Sequence, residues 1–547
     1  MKKALLLIIL FASSFLFAQT ELVFVYFTGK PNKATFYADP LSELTQKSLD
    51  RRTNLGIALN DQDAPIEPTY IQNIQNLGFT VTDHSKWLNG VAVNATAAQS
   101  LLLQSQPYVQ SVESFARNST VVVKNSNNTA DPINNKWEEF NKNTLTTFNY
   151  GQGLDQINQI NLRNLHVNGF TGAGITIAVI DTGFPTVDTG LAFQRVNNLG
   201  KIKGGYNFIS KNTDIYNTSL LNHGSVVFGA IAGFIDNSFV GSAPDADFYL
   251  YCSETAAVEI PEEQLYFIEA AEEADRKGVD IITASLGYNL FDDPKYNYSY
   301  ADMDGTTSFI SRGAQIATEK GIFVLAAAGN SGQNAWHYIT APADNEKVFT
   351  IGAVDVAGNS SGFSSFGPNS LGAIKPDASA RGTNTYSVYN NAITSASGTS
   401  LATPVAAGGV ACLLQALPSN ISRDLIRTKL RETASLFPAN TDQMGFGILN
   451  FGNAFTSLNT LKTTEISKNN FAIYPNPAKD IVKFKTDEKV SQVQVFDQLG
   501  RSINTISIKN NELNVNNLET GVYYLIIKTE KNSYTEKLIK KWHNTEK

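Results

Sequence analysis

Cysteine is nearly missing from this chain. Only Cys252 and Cys412 occur in 547 residues, each inside an apolar stretch ("FYLYC" and "GGVACLLQ"). A disulfide scaffold is therefore excluded, and two buried free thiols are expected. Histidine is also scarce, and five scattered copies with two cysteines do not supply the clustered soft ligands of a zinc centre. No long basic run occurs, and 43 Lys+Arg stand against 50 Asp+Glu, a net charge of −7 that argues against nucleic acid as a partner. After the N-terminus no apolar run reaches spanning length, so a soluble mature protein is expected. What is present is 42% hydrophobic and 17% charged residues, enough for ample cores in roughly three domains.

The first twenty residues, "MKKALLLIILFASSFLFAQT", place two lysines before an apolar run that ends in small residues at Ala18. That order predicts a secretory signal peptide over 1–18; a membrane anchor is the rival, but the run is short for a span. Residues 19–117 read as a small α+β unit, with "ELVFVYF" as a strand and "LNGVAVNATAAQSLLLQSQPYVQSVE" as strand, helix and strand. An Asn-rich, aperiodic stretch over 118–150 reads as a linker and processing region. A second short linker over 459–465 precedes the tail, 466–547. There "FAIYPNPAKDIVKF" and "GVYYLIIKTEKNSYTEKLIK" alternate polar and apolar residues and predict an antiparallel β-sandwich.

Residues 151–458 have another pattern. Short apolar runs ("GITIAVID", "DADFYLYCS", "VDIITASLG", "GIFVLAAAGN", "KVFTIGAVD") alternate with helical stretches such as "EEQLYFIEAAEEADRKG" and "SRGAQIATEKG", which end in glycine. The prediction is an α/β domain, a parallel sheet covered by helices. Function in such sheets collects beyond the C-terminal strand ends. Those ends carry Asp181, Ser285-Leu286-Gly287 and Gly329-Asn330.

"SASGTSLATPVAAGGVACLLQAL" opens an apolar helix with Gly398-Thr399-Ser400 and places Pro404 soon after, where a first-turn proline loses little. Ser400 suits an N-cap, and equally a nucleophile with its own N–H free at the positive helix end. A nucleophile needs a base, an orienting acid and oxyanion donors. Asp181 closes a buried strand, where a carboxylate needs a partner; its bland role is to cap the turn at Thr182 and Gly183. His223, in "NHGSVVFGAIAGF", opens an apolar helix, whereas His84, His166, His337 and His543 lie in less suggestive contexts. Asn330, after Gly329, is either a turn residue or an oxyanion donor. A lipase-type site is excluded, since Ser400 does not lie in G-x-S-x-G.

On "AVIDTG", "NHGSVVFGAIAG", "AAAGN" and "SGTSLATPVAAG", in that order, the chain resembles the subtilisin-like serine proteases. Ser225-Val226 depart from the usual Thr-His of the histidine motif, and Leu401 replaces the Met after the nucleophile. The resemblance implies a subtilisin-like fold with helices on both faces of the sheet. It also implies an Asp181–His223–Ser400 triad, an oxyanion hole from Asn330 and the Ser400 N–H, and hydrolysis of protein or peptide substrates without a catalytic cofactor. It gives Ser285-Leu286-Gly287 as the substrate-pairing edge. Ala328 and Gly329 then wall a P1 pocket that Thr340 narrows, for a medium or large apolar side chain. Family members often bind structural calcium, and "DMDG" offers Asp302 and Asp304 as ligands; a solvated acidic loop is the alternative. The N-terminal unit resembles the family's inhibitory propeptide. The tail, with "YPNPAKD", "VFDQLGR" and "GVYYLIIKT", resembles the type IX secretion sorting domain, against a carbohydrate-binding or adhesive sandwich. Together these imply a secreted zymogen that crosses the periplasm and engages the type IX machinery. The rival is an inactive binding or adhesion protein on a protease fold.

Overall fold

The computed structural model describes residues 19–117, 148–255, 258–459 and 471–541, the last apart from 487, 498–501, 504–507, 510 and 531–532. The expected leader over 1–18, the processing region from 118 to 147, residues 460–465, part of "VFDQLGR" and His543 lie outside them. Two compact units emerge, Met1–Thr456 and Ser457–Lys547.

The first unit opens with a four-stranded antiparallel sheet in the order Asp83–Ser85, Gly90–Ala95, Glu21–Phe27, Val109–Ser114. Its strand Glu21–Phe27 is buried on both faces, and the period of two sorts its side chains. Val23, Val25 and Phe27 pack with Ile74 and Leu103, from the helices Pro68–Asn76 and Ala97–Gln104. Leu22 and Phe24 point the other way and join a cluster with Leu265, Ile268, Phe309 and Ile310 of the next domain. Between Phe27 and Pro68 runs a 28–67 excursion that the sequence reading missed. It holds the helices Lys33–Ala38 and Gln46–Leu55 and a small core of Phe36, Leu44 and Ala64.

The main domain is built on a seven-stranded, all-parallel sheet. Its order is Ala378–Arg381, Phe349–Val354, Phe323–Ala327, Ile281–Ala284, Thr176–Asp181, Asp247–Cys252, Ile202–Asn207. All five strands read from apolar runs are present. The two strands missed are the edges: "IKGGYN" carries two glycines and a lysine, and "ASAR" is four residues long. The first is half exposed and has no apolar run, and the second, although buried throughout, is too short and polar to show one. The chain begins on Thr176–Asp181, adds two strands on one side and then four on the other. The order therefore reverses beside Asp181, where open sheets place their sites.

Helices Glu263–Arg276 and Phe309–Glu319 share a core with Ala178, Ile180, Ile282 and Ala284 on one face. Helices His223–Ala232 and Thr399–Ala416 pack together on the other. Thr399–Ala416 is long and apolar enough to cross a membrane, but it is 89% buried, the mark of a core helix enclosed all round.

The second unit is a sandwich of two antiparallel four-stranded sheets. Their orders are Ala472–Tyr474, Ile481–Lys485, Glu512–Asn514, Ile508–Lys509 and Ser502–Ile503, Val490–Phe496, Gly521–Thr529, Ser533–Lys540. Val482, Phe484 and Leu513 of the first meet Val495, Leu525 and Leu538 of the second in one core.

Candidate active site

Asp181 ends the central strand and is 1% exposed, so its charge needs partners. Its Oδ1 accepts from the Thr182 N–H at 2.7 Å and the Thr182 hydroxyl at 3.2 Å, and lies 2.7 Å from His223 Nδ1. Its Oδ2 is buried without a hydrogen-bond partner. The bland and the functional roles read from the sequence thus coexist on one carboxylate. His223 is the first residue of its helix. The Asp181 carboxylate beside it raises the imidazole pKa above its ordinary value, against an opposing effect of burial. Gly224 permits this approach: a Cβ there would lie 3.1 Å from the Asp181 Cβ and collide with the Gly183 carbonyl.

Ser400 is the second residue of Thr399–Ala416, and Pro404 is the sixth. Pro404 therefore lies inside the helix, not in its dispensable first turn as the sequence suggested. A proline there withholds a donor from the carbonyl four residues back, which is that of Ser400. The Ser285 hydroxyl fills the place, donating to the Ser400 carbonyl at 2.9 Å. Ser285 follows Ala284, which pairs with Ile180. The hydroxyl thus ties the serine helix to the strand end next to Asp181.

Asn330 Oδ1 accepts from the Thr399 N–H at 2.9 Å and the Thr399 hydroxyl at 3.1 Å. Both bonds occupy the oxygen and leave the amide NH₂ to donate elsewhere. The Leu401 N–H bonds the Gly398 carbonyl, and the Ser400 N–H has no partner among the described residues. A Cβ on Gly398 would sit 2.9 Å from Ser400 Oγ and 3.5 Å from Asn330 Nδ2. Glycine keeps open the space that hydroxyl and amide share. His223 and Ser400 make no hydrogen bond with each other among the described residues; such bonds are often long in unliganded enzymes.

Beyond Ser285, Tyr288 pairs with Ala341 in an antiparallel bridge (2.8 and 3.2 Å), while Leu286 is buried and Gly287 exposed. The Thr340 hydroxyl is buried without a partner. It abuts Gly287 and lies 3.3 Å from where a Cβ on Gly329 would be. Gly287 and Gly329 thus approach one and the same hydroxyl, that of Thr340.

Asp302 and Asp304 are used differently from the calcium expectation. Asp302 accepts from the Ser299 N–H and hydroxyl, each at 2.7 Å. Asp304 accepts from the Thr306 and Thr307 N–H groups at 2.8 and 2.7 Å and from both hydroxyls. Both carboxylates face donors that close turns, and neither belongs to a group of three potential metal ligands among the described residues.

His166, set aside on sequence, is fully buried. Tyr150 lies 2.8 Å from its Nδ1 and the Ser242 carbonyl 3.0 Å from its Nε2. Because the carbonyl only accepts, the proton sits on Nε2. Both cysteines are buried free thiols, Cys412 beside His166. The contributions of Ser285 and Thr399 were missed. The one signal for Ser285 was Pro404, whose absent donor implies a substitute for the Ser400 carbonyl.

The Subtilase family model matches residues 172–452. The Peptidase S8 propeptide domain of Bacteroidota matches 22–132, and the secretion system C-terminal sorting domain matches 472–541. Subtilisin DY of Bacillus licheniformis is 31% identical over 275 residues, 50% of this chain and 87% of that protein. Subtilisin NAT of Bacillus subtilis subsp. natto is 30% identical over 300 residues, 54% of this chain and 69% of its own. Among solved structures, the prenylagaramide maturation protease PagA aligns with a TM-score of 0.42 at 23% identity, over 54% of this chain and 98% of that one. The order of propeptide, peptidase and sorting domain marks a secreted or cell-surface protein. The chain belongs to the subtilase family and is a serine endopeptidase.

Proposed function

We propose that Asp181, His223 and Ser400 form the catalytic triad of a secreted zymogen that hydrolyses peptide bonds through an acyl-enzyme. His223 Nε2 takes the Ser400 proton as Oγ attacks the scissile carbonyl, and Asp181 holds the ring through Nδ1 and balances the imidazolium. The Asn330 amide and the Ser400 N–H receive the oxyanion. His223 then protonates the leaving amine, and water releases the acyl group. Every group required belongs to this chain. The observation that carries the reading is the 2.7 Å Asp181–His223 contact, with Ser400 Oγ and the Asn330 amide sharing the space kept by Gly398.

The substrate backbone pairs with Ser285-Leu286-Gly287 as an added strand, and its P1 side chain enters between Gly287 and Ala328-Gly329. The Thr340 hydroxyl shortens that gap and, having no partner, favours a medium P1 side chain over a large apolar one. In this reading 1–18 is a leader and 19–117 an inhibitory propeptide. Residues 118–150 hold the processing site, 151–458 are the peptidase, and 466–547, after the 459–465 linker, are the type IX sorting tail.

The test compares wild type with Ser400→Ala on casein and with a fluorophosphonate serine label. Wild type is expected to cleave and to be labelled; Ser400→Ala does neither and accumulates as a longer precursor in mass spectra. Equal, null results in both proteins would leave the inactive binding fold as the reading.

A further inference from the structure

The excursion over 28–67 reaches the far ends of the two helices on which the propeptide sheet rests. Helix Glu263–Arg276 is followed by Gly278 (φ 75°), and helix Phe309–Glu319 by Gly321 (φ 89°). Both glycines are in the left-handed conformation that ends helices. The last carbonyls of a helix have no donor within it, and here the excursion supplies one at each helix end. The Thr45 N–H and hydroxyl donate to the Arg276 carbonyl at 2.9 and 2.8 Å. Arg51 donates to the Val279 and Lys320 carbonyls. A Cβ on Gly278 would strike Lys47 and Ser48, and one on Gly321 would strike Leu55 and Ile57.

The same contact encloses five charges. Arg51 and Arg52 both bind Asp275, Arg52 at 2.6 Å. Asp63 binds Arg52 and Lys320, each at 3.0 Å. None of these side chains is more than 3% exposed. Arg51, Arg52 and Asp63 belong to the excursion, Asp275 and Lys320 to the peptidase. Arg52 is shared by Asp275 and Asp63, so replacing it while the contact stays closed leaves two enclosed carboxylates short of a partner, which is strongly unfavourable.

The propeptide's other end is held by an aromatic stack of Phe115 on Phe309 (3.8 Å), a backbone bond from Arg117 to Lys295, a bond from the Leu22 N–H to the Tyr296 hydroxyl and a half-buried Glu113–Arg312 ion pair (3.0 and 3.1 Å). Between the two ends Glu272 accepts from the Ser85 hydroxyl and the Trp87 N–H.

We infer that the surface around Asp275 and Lys320 is a docking site for a helix with paired arginines, and that this arm, not the end near Arg117, retains the propeptide after the junction is cut. The inference rests on the reading of 19–117 as a propeptide, but not on its inhibiting the enzyme.

The test uses the full-length Ser400→Ala chain with a site-specific protease sequence inserted after Asn128. Its outcome therefore does not depend on the protein's own activity. After cutting, the fragment is expected to co-elute with the peptidase on gel filtration, and Arg52→Met to raise its dissociation constant about a hundredfold or more. Phe115→Leu should change it less than tenfold. Release from the parent on cutting, or equal retention by Arg52→Met, would overturn the inference. If Arg52→Met does not fold, hydrogen exchange on the cut parent decides. A Thr45 amide still protected supports docking by the arm, and one exchanging at the free rate refutes it.

Discussion

Two buried or half-buried imidazoles titrate in opposite directions. Asp181 raises the pKa of His223, so the base is neutral, and active, only at higher pH than an ordinary histidine would be. The acid limb of kcat/KM should therefore fall above pH 6.5, and Asp181→Asn should lower that limb and cut kcat by about 10⁴; a pH–rate profile of both checks it. The same raised pKa favours the folded state fully below about pH 6.5, a contribution lost as pH rises through the folded value. Burial lowers His166 to about 4. Between about pH 6.5 and 4 the unfolded chain takes up this proton first, so stability present above that window is lost within it, by roughly 3 kcal/mol. In the Ser400→Ala background His166→Gln should flatten the fall of Tm between pH 7 and 4.5. An unchanged slope would mean that other groups carry it.

The helix Thr399–Ala416 brings its own defect, the donor missing at Pro404, and a neighbouring strand end repairs it. Ser285→Ala should leave the Ser400 carbonyl unsatisfied and lower stability by about 1–3 kcal/mol. Pro404→Ala restores an N–H four residues on, so Ser285→Ala should cost less in that background. Thermal melts of the four proteins measure the coupling, and strict additivity would refute it. The same element shows what sequence can reveal. Its apolar run and its Gly398-Thr399-Ser400 opening were legible because helix starts and buried helices carry local signals. That Ser285 completes it was not, because the two residues lie 115 apart in sequence.

As a whole, the chain is a peptidase whose flanking parts differ in how they are held. The sandwich has its own core, enclosed by both of its sheets, and forms a separate compact unit. Ending the chain at 459 should therefore leave the melting temperature of the remaining unit within a few degrees of its value in the full chain, by calorimetry. The propeptide sheet shares a core with the peptidase helices and should melt with them. Sequence alone determined the order of parts, the five inner strands, and the four residues from which the site is read. Each rests on short-range pattern, an apolar run closed by a special residue. Tertiary structure alone decided the edge strands, the turn-closing role of Asp302 and Asp304, and the arm over 28–67. The arm's arginines meet Asp275 from more than two hundred residues away, and a buried charge pair across such a distance leaves no periodic mark on either segment.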